Sequence, residues 1–217
     1  MEIYLDNAAS VPMSEKVIRK ISKASREYYA NPSSLHSLGL KARRALENAR
    51  KEIAKEIGAK AEEIVFTSGS TESNALAIFG AAREKKKNGK NKIIISSLEH
   101  STIYENARAL EKEGFILKEI PANEEGLDLE CLSKELDDKT ALVSVSSIVS
   151  EVGIINDISR IAKECKRKNV LLHVDHTQGF GKINMQVKNV GIDLLSADAH
   201  KVGGPRGIGL LYVRNGV

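Results

Sequence analysis

The sequence contains no tryptophan, only two cysteines and only four prolines in 217 residues, and 4% of it is aromatic. Two cysteines cannot build a disulfide framework. They lie in Leu129-Glu130-Cys131-Leu132 and Ala162-Lys163-Glu164-Cys165-Lys166, both of helical character and neither with the glycine-rich or basic surroundings of an activated thiolate. Both are read as structural cysteines. Neither paired cysteines nor clustered histidines show metal-ligand spacing, so no metal is expected. No apolar run approaches the length that crosses a bilayer, and Met1-Glu2-Ile3 does not open a signal peptide. The cytoplasm is therefore the expected location, without membrane contact. A large excess of one charge is also lacking. The net charge is +4, and the clusters Lys85-Lys86-Lys87 and Lys166-Arg167-Lys168 read as solvated helix ends rather than a nucleic-acid surface.

What is present is an alternation of two periodicities. Apolar, β-rich runs occur at Glu63–Thr67, Lys92–Ser96, Ile116–Ile120, Ala141–Ser146, Val170–Asp175, Asp193–Ala197 and Ile208–Val213. Helical spacing fills most intervals, as in Ser70–Lys87, Thr102–Glu113 and Ile158–Lys168, and two long helices are predicted upstream over Ser14–Tyr29 and His36–Gly58. Such alternation predicts an α/β domain with a mostly parallel seven-stranded sheet and helices on both faces. The interval from Ala197 to Ile208 is too short for a helical crossover and contains Gly203-Gly204-Pro205 and Gly207, so the last strand is expected to run antiparallel. Residues 1–13 read as an extended segment apart from the main sheet, and 14–217 as the large domain.

Three segments carry candidate chemistry, each beside a plainer reading. Thr67-Ser68-Gly69-Ser70-Thr71-Glu72 joins a strand to a helix, where backbone amides and hydroxyls suit a phosphate; an ordinary Ser/Thr N-cap explains it equally well. Asp175, in Leu172-His173-Val174-Asp175-His176-Thr177-Gln178, ends an apolar strand at the edge where α/β proteins place ligands. Its carboxylate would keep a pyridine nitrogen protonated, or would simply cap a helix. Lys201, in Ser196-Ala197-Asp198-Ala199-His200-Lys201, enters a Gly/Pro loop that suits an amine nucleophile for an aldehyde, although most lysines are solvated surface groups.

Phosphate loop, aspartate, then lysine 26 positions later, each at a strand end, is an order shared with the fold-type-I pyridoxal-phosphate enzymes. Further stretches narrow the likeness: Tyr4-Leu5-Asp6-Asn7-Ala8-Ala9, Asn31-Pro32-Ser33-Ser34 with His36, Phe66-Thr67-Ser68-Gly69-Ser70-Thr71-Glu72-Ser73, Glu99-His100 and Ser150-Glu151-Val152-Gly153. The sequence resembles the class V aminotransferase family, and within it the cysteine desulfurases, along its whole length. The resemblance implies pyridoxal 5'-phosphate as cofactor, with Ser70, Thr71 and His200 at its phosphate, His100 on the ring face, Asp175 at the ring nitrogen and Gln178 at the phenolic oxygen. Lys201 would be the Schiff-base lysine and the base at the substrate Cα, with His100 assisting proton transfer.

It further implies L-cysteine or a related amino acid as substrate, a homodimer, and an iron–sulfur scaffold or another sulfur acceptor as partner. Members of the family are longer, so a C-terminal small domain with a nucleophilic cysteine and a substrate-binding arginine is expected to be missing here and supplied by a complementary C-terminal chain. Three positions depart from the family pattern. Ser150 stands where an asparagine meets the ring oxygen. Asp198 replaces a phosphate-binding Ser or Thr and sets a carboxylate against the phosphate. His176 replaces a small residue and is expected to crowd the ring. Two alternatives follow: a catalytically impaired paralogue acting as a cofactor-binding scaffold, or another class V activity such as a selenocysteine lyase.

Overall fold

Ile93, Ile94 and Ile95 are completely shielded from water, although they are consecutive along one strand. Alternate residues of a strand point to opposite faces, so such a run requires a sheet covered on both sides. The computed structural model describes residues 3–217; Met1 and Glu2, which belong to the segment 1–13 and to the start read as no signal peptide, lie outside the described residues.

In chain order the elements are α1 (Glu15–Glu27), α2 (Ser37–Glu56), β1 (Ile64–Thr67), α3 (Ser70–Lys86), β2 (Lys92–Ser96), α4 (Ser101–Glu111), β3 (Ile116–Ile120), β4 (Ala122–Asn123), β5 (Gly126–Leu127), α5 (Leu129–Glu135), β6 (Thr140–Ser146), α6 (Ile158–Arg167), β7 (Leu171–Asp175), α7 (Val187–Val190), β8 (Leu194–Asp198) and β9 (Gly209–Val213). The main sheet has the order β1-β9-β8-β7-β6-β2-β3, and β4 with β5 forms a separate short hairpin. Within the main sheet β9 runs antiparallel to both β1 and β8, while the other pairings are parallel. The seven-stranded, mostly parallel α/β sheet with an antiparallel last strand is thus the observed fold. The hairpin β4–β5 and the short helix α7 are additions to the predicted elements.

Each face of the sheet has its own core. On one, Ala77, Ile78, Ala81 and Ala82 of α3 and Ile103, Ala107 and Leu110 of α4 pack on Ile93, Ile95 and Leu142. On the other, Ile158, Ile161, Ala162 and Cys165 of α6 and Leu132 of α5 pack on Ile94, Val143, Val145, Leu172 and Val174. Small alanines on α3 let that helix lie close across the strands. α1 behaves differently and buries none of its residues, leaving Ile18 and Ile21 exposed.

The strands β6, β7 and β8 end side by side, with Ser146 beside Asp175 and Asp175 beside Ser196. α3 starts next to the end of β8, where β9 passes so closely that a Cβ at Gly209 would fall 2.7 Å from the Gly69 Cα. Strand ends and a helix N-terminus therefore meet at one edge, the usual ligand position of such sheets.

Candidate functional site

Two aspartates end neighbouring strands at that edge, and both are buried. Each uses Oδ1 to accept a hydrogen bond from the backbone two residues on: Thr177 N–H donates to Asp175 at 2.9 Å, and His200 N–H to Asp198 at 3.2 Å. Each uses Oδ2 to accept from α3. Asn74 Nδ2 donates to Asp175 at 2.8 Å, and one helical turn earlier Ser70 N–H donates to Asp198 at 2.9 Å.

The rest of the Thr67–Ser73 segment secures this helix start. Glu72 reaches back to accept from Ser68 N–H at 2.6 Å and Ser68 Oγ at 2.7 Å, and the Ser68 backbone bond holds its carboxyl below the usual range. Ser73 Oγ lies 2.8 Å from Thr67 Oγ1 and donates to Leu210 O at 2.9 Å.

Asp175 faces a cavity of about 270 Å³, lined also by Asp6, Ala8, Ser70, His100, Ser146, Ser150, Thr177, Gln178 and Lys201. His100 caps α4: its Nδ1 accepts from Thr102 N–H at 3.2 Å, which leaves Nε2 to carry the proton of a neutral ring. Thr102 Oγ1 lies 2.9 Å from the same Nδ1 and accepts from Asn74 Nδ2 at 3.0 Å. A continuous hydrogen-bonded path, Asp175–Asn74–Thr102–His100, therefore frames the cavity. Opposite it, the N-terminal segment is tied down by the site itself. Lys201 Nζ donates to Ala8 O at 2.7 Å and Ala9 O at 3.1 Å, and Gln178 Nε2 to Ala8 O at 2.9 Å. Burial, and secondarily the Lys201 charge, holds the Lys182 amine below its ordinary range.

Behind the cavity wall stands Glu99, whose oxygens accept from Ser146 N–H at 2.9 Å and Ser146 Oγ at 2.6 Å. Burial pushes its carboxyl up to about 8; the Ser146 bonds oppose that, and the charges of Asp175 and Glu151 add to it. This shift favours the protonated form of Glu99 near neutral pH, which would limit the negative charge around Asp175.

The predicted site residues divide between two hollows. Lys201, His100, Asp175, Gln178, Ser150 and Ser70 line the first, where Ser150 Oγ donates to Glu151 at 2.8 Å. Thr71, Asp198 and His200 line a second with Arg206, and Ala9 borders both. Within the second hollow Asp198 also accepts from His200 Nδ1. Asn74, Thr102 and the proton on Glu99 escaped the sequence reading. The spacing of Asn74, four residues after Ser70 on one helix, was the available signal for the first.

His176 corrects an expectation. Its side chain does not line the ring cavity but is buried, 2.9 Å from Ser147 Oγ and edge-on to Phe180. Burial lowers its ring to about 4, so it stays neutral. The room comes from Gly179, where a Cβ would sit 2.4 Å from His176 Cε1. The cysteines lie away from both hollows: Cys165 is buried with its thiol pushed up to about 12 by desolvation, and Cys131 packs against the same core.

The family description "Aminotransferase class-V" matches residues 3–217. The chain belongs to that family. Among class V relatives, the cysteine desulfurase IscS of Dictyoglomus turgidum is 43% identical over 216 residues, covering 99% of this chain and 55% of that protein. The mitosomal cysteine desulfurase of Trachipleistophora hominis is 41% identical over 216 residues, covering 98% of this chain and 49% of its own. A solved structure titled "NIFS-like protein" superposes with a TM-score of 0.96 at 36% identity, over 100% of this chain and 60% of that one. Another, titled "SspA in complex with cysteine", gives a TM-score of 0.93 at 34% identity, over 99% and 62%. The chain spans about half the length of the curated relatives it matches.

Class V enzymes use pyridoxal phosphate. The ring end of this site fits that group: a buried carboxylate, a lysine amine, an imidazole and a carboxamide converge on one cavity, and the buried Thr177 Oγ1 there has no partner. The anion end fits less well, since Asp198 already occupies the Ser70 and His200 donors.

Proposed function

We propose that this chain provides the pyridoxal-phosphate site of a cysteine desulfurase, which converts L-cysteine to L-alanine and passes the sulfur to an acceptor such as an iron–sulfur scaffold. The convergence of Lys201, Asp175, His100 and Gln178 on one cavity carries the reading, and the naming of the relatives supports it. Bound cofactor would supply an electron sink for a carbanion at the substrate Cα. Asp175 would hold the proton on the ring nitrogen, Gln178 would lie at the phenolic oxygen, and His100 would lie against the ring. Lys201 would hold the cofactor through its amine and would serve as the base at the substrate Cα, a role that requires its bonds to Ala8 and Ala9 to open.

In this reading residues 14–217 are the cofactor-binding domain, working as a homodimer in the cytoplasm. The cysteine that accepts sulfur comes from outside these residues, because neither Cys131 nor Cys165 lines the cavity. The test is borohydride reduction of the protein with pyridoxal phosphate, followed by peptide mass mapping. A stable adduct on Lys201, abolished in Lys201→Ala, is expected; an adduct elsewhere, or none, overturns the assignment. A scaffold without turnover is favoured by one observation, the carboxylate of Asp198 at the phosphate donors.

A further inference from the structure

The anion end of this site already holds an anion, and the chain supplies it. The Asp198 carboxylate accepts from Ser70 N–H at 2.9 Å, Ser70 Oγ at 3.4 Å, His200 N–H at 3.2 Å and His200 Nδ1. These are donors of the first turn of α3 and of the segment before Lys201, where the helix dipole favours negative charge. The carboxylate is only 7% exposed, so solvent screens it little. It is also confined: a Cβ at Gly69 would lie 3.0 Å from Oδ2, and Gly209 of β9 approaches the Gly69 backbone closely.

We propose that Asp198 is a specificity-determining residue, an internal substitute for a ligand phosphate that biases the pocket toward pyridoxal compounds with little or no negative charge on the tail. This rests on the pyridoxal reading of the ring end. The backbone N–H of Ser70 and the Nδ1–H of His200 each carry one hydrogen, and both are committed to the carboxylate. A phosphate dianion brought to them must displace those bonds or stand beside an ionised carboxylate in a poorly screened place. A neutral tail meets neither obstacle. Asp198 thus fastens the start of α3 at the expense of the grip on phosphate.

The test compares pyridoxal phosphate with pyridoxal, which has the same ring and aldehyde but no phosphate. Concentration-dependent trapping on Lys201 by borohydride gives an apparent Kd for each in the wild type, Asp198→Ser and Asp198→Asn. The wild type should distinguish the two ligands little. Asp198→Ser should bind pyridoxal phosphate about tenfold or more tightly than the wild type does, with pyridoxal nearly unchanged. Asp198→Asn, which keeps the shape and Oδ1 while losing the charge, guards against a misfolded serine variant. As an independent arm, inorganic phosphate should raise the melting temperature of the variants and leave that of the wild type unmoved. A wild type that strongly prefers pyridoxal phosphate, with no gain in either variant, overturns the role of Asp198 alone. Absence of any Lys201 adduct with either ligand overturns the pyridoxal reading, and the phosphate arm still decides whether Asp198 occupies an anion site.

Discussion

Asp175 and Asp198 are built alike and do opposite things. Both end adjacent parallel strands, both close a turn onto the backbone two residues later, and both reach α3, one helical turn apart. Asp175 is held there by a side-chain amide, so the helix spends no backbone donor on it and its carboxylate remains on the wall of an open cavity. Asp198 is held by the first backbone N–H of α3, the donor an incoming anion would need. Two carboxylates one strand apart can therefore make a site or fill one, according to which donor faces them.

The largest expected effect breaks this comparison directly. Asp175→Ala strands one hydrogen of Asn74 Nδ2, whose other bond to Thr102 remains, and the Thr177 N–H in the interior, next to a Thr177 hydroxyl and an Asn74 carbonyl that already lack partners. It should cost about 3 kcal/mol in urea unfolding and abolish the Lys201 adduct. Asp198→Ala releases donors on half-buried residues that water can reach, at about 1 kcal/mol. Equal losses would mean that the two carboxylates are both merely structural.

Acid should separate the ends next. The groups whose titration burial displaces, Glu99, His173 and His176, gather at the Asp175 end; the Asp175 charge adds to the shift of Glu99 and opposes those of the two histidines. His173 is fully buried between Ser144 Oγ at 2.8 Å and Ser196 Oγ at 2.9 Å, and burial lowers it, like His176, to about 4. Both rings stay neutral in the fold but titrate at 6.5 when it opens, so their contribution is complete above pH 6.5 and lost as pH falls toward 4. At pH 5.5 they alone would take up about two protons on unfolding. Glu99 has the opposite sign, since its carboxyl keeps its proton in the fold up to about 8 and releases it on unfolding above about 4.5. The net uptake should be about one proton, measurable from the pH dependence of the unfolding free energy.

A smaller effect concerns the pairing of His176 with Gly179. Gly179→Ala forces a Cβ against the imidazole and should destabilise by about 2 kcal/mol. The same change in a His176→Ala background should cost much less. Additive losses would show that Gly179 serves its own backbone instead.

Much of this was legible in the sequence. The strand Lys92–Ser96 coincides with its predicted limits because a doubly covered sheet leaves an uninterrupted apolar run with sharp polar ends; the edge strand Ile116–Ile120 also coincides, although Lys118 and Glu119 interrupt it. The antiparallel β9 followed from a loop too short for a crossover. Which way a polar side chain turns was not legible. His176 sits beside Asp175 in sequence, yet strand alternation and the gap at Gly179 send it into the interior. The clasp on Asp198 joins residues 128 positions apart, and no local pattern reports which donor a carboxylate meets.

Glu99→Gln is expected to move stability least and to reveal most about the Asp175 end. A protonated carboxyl and a carboxamide have nearly the same shape, and the amide can accept from Ser146 N–H while donating to Ser146 Oγ, so the loss near pH 6 should stay below about 1 kcal/mol. What changes is the charge balance. The carboxyl's proton release no longer cancels one of the histidine protons, so uptake at pH 5.5 should rise from about one to about two. Above about pH 6.5, where the two histidines no longer take up protons on unfolding, the wild type loses stability as pH rises toward about 8, where Glu99 ionises beside Asp175; the variant should not. An unchanged alkaline slope in Glu99→Gln would mean that Glu99 is ionised in the fold, and that Asp175 shares its end of the sheet with a second negative charge.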